Sequence, residues 1–124
     1  MSTETDNILN LIAATIFADQ RVYNSEIQVF VNATAELKIL QTVKPRLTEN
    51  RILAWYETNK GRIFEKVKMP YFKDWFYSLL DQLSDVEDEE QIIDIMQKIS
   101  RADGSVHVSE RALFTLAKRY WGMR

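Results

Sequence analysis

Two short stretches carry carboxylates at a spacing that could bind a hard cation. One reads ADQRVYNSEIQVF, residues 18–30, and the other ADGSVHVSERALF, residues 102–114. In each, an Asp (Asp19, Asp103) stands seven residues before a Glu (Glu26, Glu110). Oxygen donors of this kind suit calcium, magnesium or manganese, and calcium asks for roughly six to eight of them. An EF-hand register puts Asp103 at the fifth loop position, Gly104 at the sixth and Glu110 at the twelfth. Ile99 and Arg101 then take the first and third positions, as Thr15 and Phe17 do in the sister stretch. An apolar side chain and a guanidinium cannot ligate calcium, so neither stretch is a self-sufficient EF-hand. A shared site is different: Asp19, Glu26, Asp103 and Glu110 converging, with water and carbonyl oxygens completing the shell. The competing reading needs no metal. An Asp in a helix–helix loop bonds nearby amides, and a Glu in a first helical turn balances the helix dipole.

The elements that must position these residues read as helices. The chain has 124 residues with only three glycines and two prolines, and its apolar residues recur at helical spacing. Thr5 or Asp6 caps a first helix carrying Ile8, Leu9, Leu11, Ile12 and Ile16. Ser25 caps a second, with Gln28 in capping-box position and an apolar face running from Ile27 to Leu40. A connector passes through Pro45, and Thr48 precedes ENRILAWYETNKGRIFEKV, one long helix weakened at Asn59 and Gly61. Pro70 opens the next helix, Ser84 or Asp85 caps another, and Ser109 caps the last. The expectation is an all-α single domain, residues 1–124, a compact bundle of six or seven helices.

The two stretches belong to a longer internal repeat. At an offset of 84 residues Ala18, Asp19, Val22, Ser25, Glu26 and Phe30 meet Ala102, Asp103, Val106, Ser109, Glu110 and Phe114, six identities in thirteen positions. The preceding helices align in kind, with Ile8, Leu9, Leu11 and Ile12 facing Ile92, Ile93, Ile95 and Met96. This predicts two pseudo-symmetric helix hairpins at opposite ends of the chain, bridged by the middle helices. An apolar helix, an ADG-V-E turn and a second helix, present near both ends of a small all-α chain, resemble the tellurite-resistance TerB-like family. They also resemble the N-terminal module of membrane-anchored DnaJ-like co-chaperones. The likeness covers nearly the whole chain in layout, but its specific content is the two turns. ADGSVHVSE fits well, whereas Gln20 stands where the family usually has Gly. The resemblance implies a stress-response context, paired acidic motifs proposed to hold a divalent metal, and no enzymatic activity.

Composition narrows the classes further. There is no cysteine, which excludes disulfides, thiolate nucleophiles and cysteine-ligated metal. His107 is the single histidine and reads as a surface loop residue. Nothing marks a nucleophile or a phosphate-binding glycine loop, so an enzyme is not expected. The start MSTETDN lacks a basic segment followed by an apolar run, and no apolar run approaches the ~20 residues that span a bilayer. The expectation is a cytoplasmic protein without a membrane span. Net charge is −2 but segregated: residues 38–73 hold nine Lys/Arg against three Glu, and five acids crowd Asp85–Glu90. The middle segment mixes those cations with Trp55, Tyr56, Phe64, Tyr71, Phe72, Trp75, Phe76 and Tyr77. Cations interleaved with rings can bind nucleic acid, but Tyr71, Phe72, Trp75 and Phe76 fall at helical core spacing, as do Ile52, Leu53 and Trp55, which favours a core beneath a basic face. A protein partner is the preferred reading over nucleic acid.

Overall fold

The computed structural model describes residues 3–18, 22, 24–41, 46–83, 89–102 and 108–122. Among the described residues seven helices follow in order: α1 (Thr3–Phe17), α2 (Asn24–Ala35), the single turn α3 (Lys38–Gln41), α4 (Glu49–Lys68), α5 (Phe72–Gln82), α6 (Glu89–Ser100) and α7 (Val108–Tyr120). No strand occurs among the described residues. None of the helices is long and apolar enough to cross a membrane.

Helix α1 is the hub. Every residue from 8 to 17 is buried, including Asn10 and Thr15. A helix apolar all round requires neighbours all round, and α1 packs against α2, α4, α5, α6 and α7. Its start differs from the expected one. The helix is already formed at Thr3, so Thr5 and Asp6 lie within it. Thr5 is buried, and the Asp6 carboxylate reaches across to α4. It accepts from Trp55 Nε1 at 2.9 Å and from Asn10 Nδ2 at 3.2 Å. Arg62 donates to Asn10 Oδ1 at 2.8 Å and to Asn59 Oδ1 at 3.1 Å, and Asn59 Nδ2 donates to the Trp55 carbonyl at 2.8 Å. A half-buried polar network thus fixes the register of α4 on α1.

Helix α4 runs unbroken for 20 residues through Asn59 and Gly61. Thr48 caps it as expected, its Oγ1 accepting from the Arg51 amide at 3.3 Å. Its inward rings make an aromatic cluster with α1 and α2. Tyr56 stacks on Phe17 at 6.0 Å between centroids and lies 6.0 Å from Phe30, while Phe30 meets Trp55 at 6.4 Å. Helix α2 stops at Ala35 rather than running to Leu40. Leu37 and Leu40 are still buried, but through the turn into α3. Pro70 lies in a turn two residues ahead of α5, whose N-cap position is Tyr71. Pro45, Ser84 and Asp85 lie outside the described residues.

The 84-residue repeat is present in the helices themselves. Helix α2 begins at Asn24 and α7 at Val108, the same offset. Burial repeats as well: Ile8 and Ile92, Leu9 and Ile93, Leu11 and Ile95, Ile12 and Met96 are all core residues. Each hairpin packs internally, α1 on α2 and α6 on α7, and the cross pairs α1–α7 and α2–α6 both form. An operation that exchanges the two hairpins maps each cross pair onto the other. The middle helices break the symmetry: α4 covers α1 and α2, and α5 covers α1.

Candidate functional site

Both repeat glutamates are completely withdrawn from solvent, Glu26 in the first turn of α2 and Glu110 in the first turn of α7. The helices start two residues earlier than caps at Ser25 and Ser109 would give, so those serines lie inside the first turn. Gln28 makes no capping box and donates instead to Asn32 Oδ1 at 3.0 Å. This shift sets each Glu at the third helical position. There a carboxylate faces unsatisfied helix N–H groups and the positive end of the dipole. That environment offsets part of the cost of burying a carboxylate, which water would otherwise solvate strongly. Two such acids at equivalent points of a repeat are a property of the motif rather than an accident of one loop.

The charge of Glu26 is felt nearby. Burial pushes the Tyr56 hydroxyl up from 10.0 to about 12, and the negative charges of Glu57 and Glu26 add to that. Helix α2 packs on α4, which brings Glu26 close enough for its charge to act on Tyr56 of the aromatic cluster. Asp19, Asp103, Gly104 and His107 lie outside the described residues. Among the described residues, no three acids or histidines gather as a metal-binding group.

What the structure does bring together is the chain beside each turn. A groove of about 290 Å³ is lined by Ala18 at the end of α1, by Phe72, Lys73 and Phe76 of α5, and by Ser109, Ala112, Leu113 and Leu116 of α7. Ala18 immediately precedes Asp19, and Ser109 immediately precedes Glu110. The residue that follows α1 and the first turn of the last helix therefore line one groove.

The middle segment follows its helical spacing only in part: Tyr71 and Leu53, expected in the core, are 48% and 41% exposed, and Tyr77 is exposed as well, because these three lie on the outer sides of their segments. Trp55, Tyr56 and Phe76 are buried, and Phe64, Phe72 and Trp75 are half-buried. Tyr71 is exposed and lies under Lys66 at 5.3 Å. The basic face is less uniform than the composition suggests. Lys60 pairs with Glu57 at 2.6 Å and Lys68 with Glu65 at 3.2 Å, while Arg62 is committed to the polar network. One-turn pairs of this kind blunt the field that a bare row of cations would project. Sequence reasoning missed the Asp6–Trp55 tether and the α5–α7 groove. Both depend on contacts between residues more than thirty positions apart, which no local spacing announces.

Comparison of the chain with known protein families, with curated proteins and with solved structures finds no match.

Proposed function

We propose that this chain is a non-enzymatic binding module of the TerB-like kind, whose two repeat turns jointly hold a divalent cation. The observation that carries the reading is the paired burial of Glu26 and Glu110 at equivalent positions. The shared wall of Ala18 and Ser109 supports it, because it puts the flanks of both turns on one side of the bundle. The donor set is oxygen only, which suits a hard cation such as calcium, magnesium or manganese. Glu26 and Glu110 would supply carboxylates from rigid helix starts, and Asp19 and Asp103 would add theirs from the turns. The cation would neutralise two buried negative charges and so tie the two hairpins together. The tellurite and stress-response context, and a protein partner, belong to the same proposal through the likeness of the ADG-V-E turns.

Thermal melts with calcium, magnesium or manganese, and with a chelator, test this. Binding that favours the fold stabilises it by roughly 3 kcal/mol at a hundredfold excess over Kd. Asp19→Asn and Asp103→Asn should each abolish the shift, since each half supplies part of the shell. A melt unmoved by all three metals, or one sensitive to Asp103→Asn alone, overturns the shared site.

A further inference from the structure

We infer that the groove between α5 and α7 is a docking surface for an amphipathic, acidic helix of a partner protein. The internal repeat supplies the control. On α7, Val108, Ala112, Leu116 and Tyr120 recur every fourth residue and form one stripe along the helix. Val108 is 85% exposed, Ala112 is exposed, Leu116 is half-buried and Tyr120 is 40% exposed. The equivalent residues, 84 positions earlier, are Asn24, Gln28, Asn32 and Glu36, and all four are polar and exposed. The same helix, in the same register and carrying the same buried Glu, is polar outside in one copy and apolar outside in the other. Packing on α5 and on the core accounts for Tyr120 and Leu116; what the fold leaves over is the exposed pair Val108 and Ala112.

The stripe borders a built concavity. At one end, α5 and α7 are clamped together. Tyr77 and Tyr120 lie 5.7 Å apart between ring centroids, Tyr120 Oη donates to Asp81 at 3.0 Å, and Trp121 Nε1 donates to the Leu80 carbonyl at 3.1 Å. At the other end, Phe72, Phe76, Ala112, Leu113 and Leu116 wall the open groove, with Ala18 beside them. A wedge that is apolar inside accepts the side chains of one helix face, spaced i, i+3, i+4 and i+7. A flat bilayer would cover its rims and leave its walls unfilled.

Charge selects the occupant's sign. Lys73 stands at the groove and is exposed, and Arg119 follows Leu116 by one turn on α7 and is exposed. Arg111 and Lys118 fall on the side of α7 away from the groove, and the helix's one acid, Glu110, is buried. On α5, Asp74 is exposed and Asp81 holds Tyr120. Among the described residues Lys73 and Arg119 therefore give the rim its charge, and a helix with Glu or Asp beside its apolar face complements them. This reading stands whether or not the repeat turns hold a metal.

The test is a nuclear magnetic resonance titration of the full chain with two synthetic helices. Both carry Leu at i, i+3, i+4 and i+7, and their flanking residues are Glu in one and Lys in the other. The acidic helix should bind and move the amide signals of Phe72, Lys73, Ala112 and Leu116. The basic helix should bind at least about tenfold more weakly. Ala112→Glu and Lys73→Glu, both at exposed positions, should each weaken the acidic helix by about tenfold. Gln28→Arg, on the polar sister face, should change nothing. Vesicles of phosphatidylcholine with and without phosphatidylglycerol form the third arm. The inference fails if the acidic helix does not bind, or if both helices bind equally. It also fails if neither groove variant matters, or if Lys73→Glu instead abolishes a preference for the anionic vesicles.

Discussion

Trp55→Phe probes the network that sets α4 on α1. The indole N–H donates to Asp6 Oδ1 at 2.9 Å, from a side chain only 7% exposed. A hydrogen bond to a charged acceptor contributes about 1.5–3 kcal/mol. Asp6 is only half-buried, so the lower part of that range applies. The smaller ring also leaves a void against Phe30, whose centroid is 6.4 Å away, and that adds about 1 kcal/mol. Trp55→Phe should therefore cost about 3 kcal/mol. Asp6→Ala, which loses the bonds from Trp55 and Asn10, should cost about 2 kcal/mol. Urea unfolding followed by circular dichroism reads both, and each kcal/mol should lower Tm by about 3–5 °C. The decisive quantity is the double variant. If the two side chains act through one bond, the combined loss falls short of the sum by about 1–1.5 kcal/mol. Losses that add to within about 0.5 kcal/mol would show that the tether contributes nothing and that the register of α4 comes from apolar packing alone.

Gly61→Ala should stabilise the protein by about 0.5–1 kcal/mol, because Gly61 sits inside α4, is exposed, and an added Cβ meets nothing within 4 Å; a lower Tm would contradict this. Tyr56, raised from 10.0 to about 12, holds its proton more tightly when folded. Its contribution is whole below pH 10 and is lost as pH climbs through 12, so alkaline unfolding should be blunted in Tyr56→Phe. Glu26→Gln should let Tyr56 titrate at lower pH by removing one of the negative charges that raise it. A tyrosinate absorbance titration unchanged by that substitution would mean that Glu26 does not act on Tyr56 as a charge.

Sequence and structure agree where local rules act alone. Helix α4 passes through Gly61 because a single glycine costs only about 1 kcal/mol against twenty residues of favourable spacing, and Thr48 caps it as its type predicts. They part where a distant residue intervenes. Asp6 looks like a cap, yet Trp55, forty-nine residues later, claims its carboxylate. Ser25 and Ser109 look like caps, yet each helix starts two residues earlier than such a cap would give and leaves the third position to a buried Glu. The repeat was legible through its identities. The α7 surface was equally legible at the same offset, but only in the differences: Asn24 against Val108, Gln28 against Ala112, Asn32 against Leu116. Aligning a chain with itself and reading only what is kept conceals what one copy has changed.

The central place of α1 has a consequence for how the chain comes to fold. The N-terminal helix is made first, but two of the helices that enclose it, α6 and α7, are made last. At roughly 5–20 residues per second of synthesis, the apolar residues 8–17 wait several seconds for their final neighbours. Until then α1 can be shielded only by α2, α4 and α5. Contacts of such long sequence separation slow the closing step, so a chain truncated before α6 presents an open apolar seam. Aggregation of such truncated chains, and their capture by chaperones, should therefore depend on the residues of α1 that face α6 and α7.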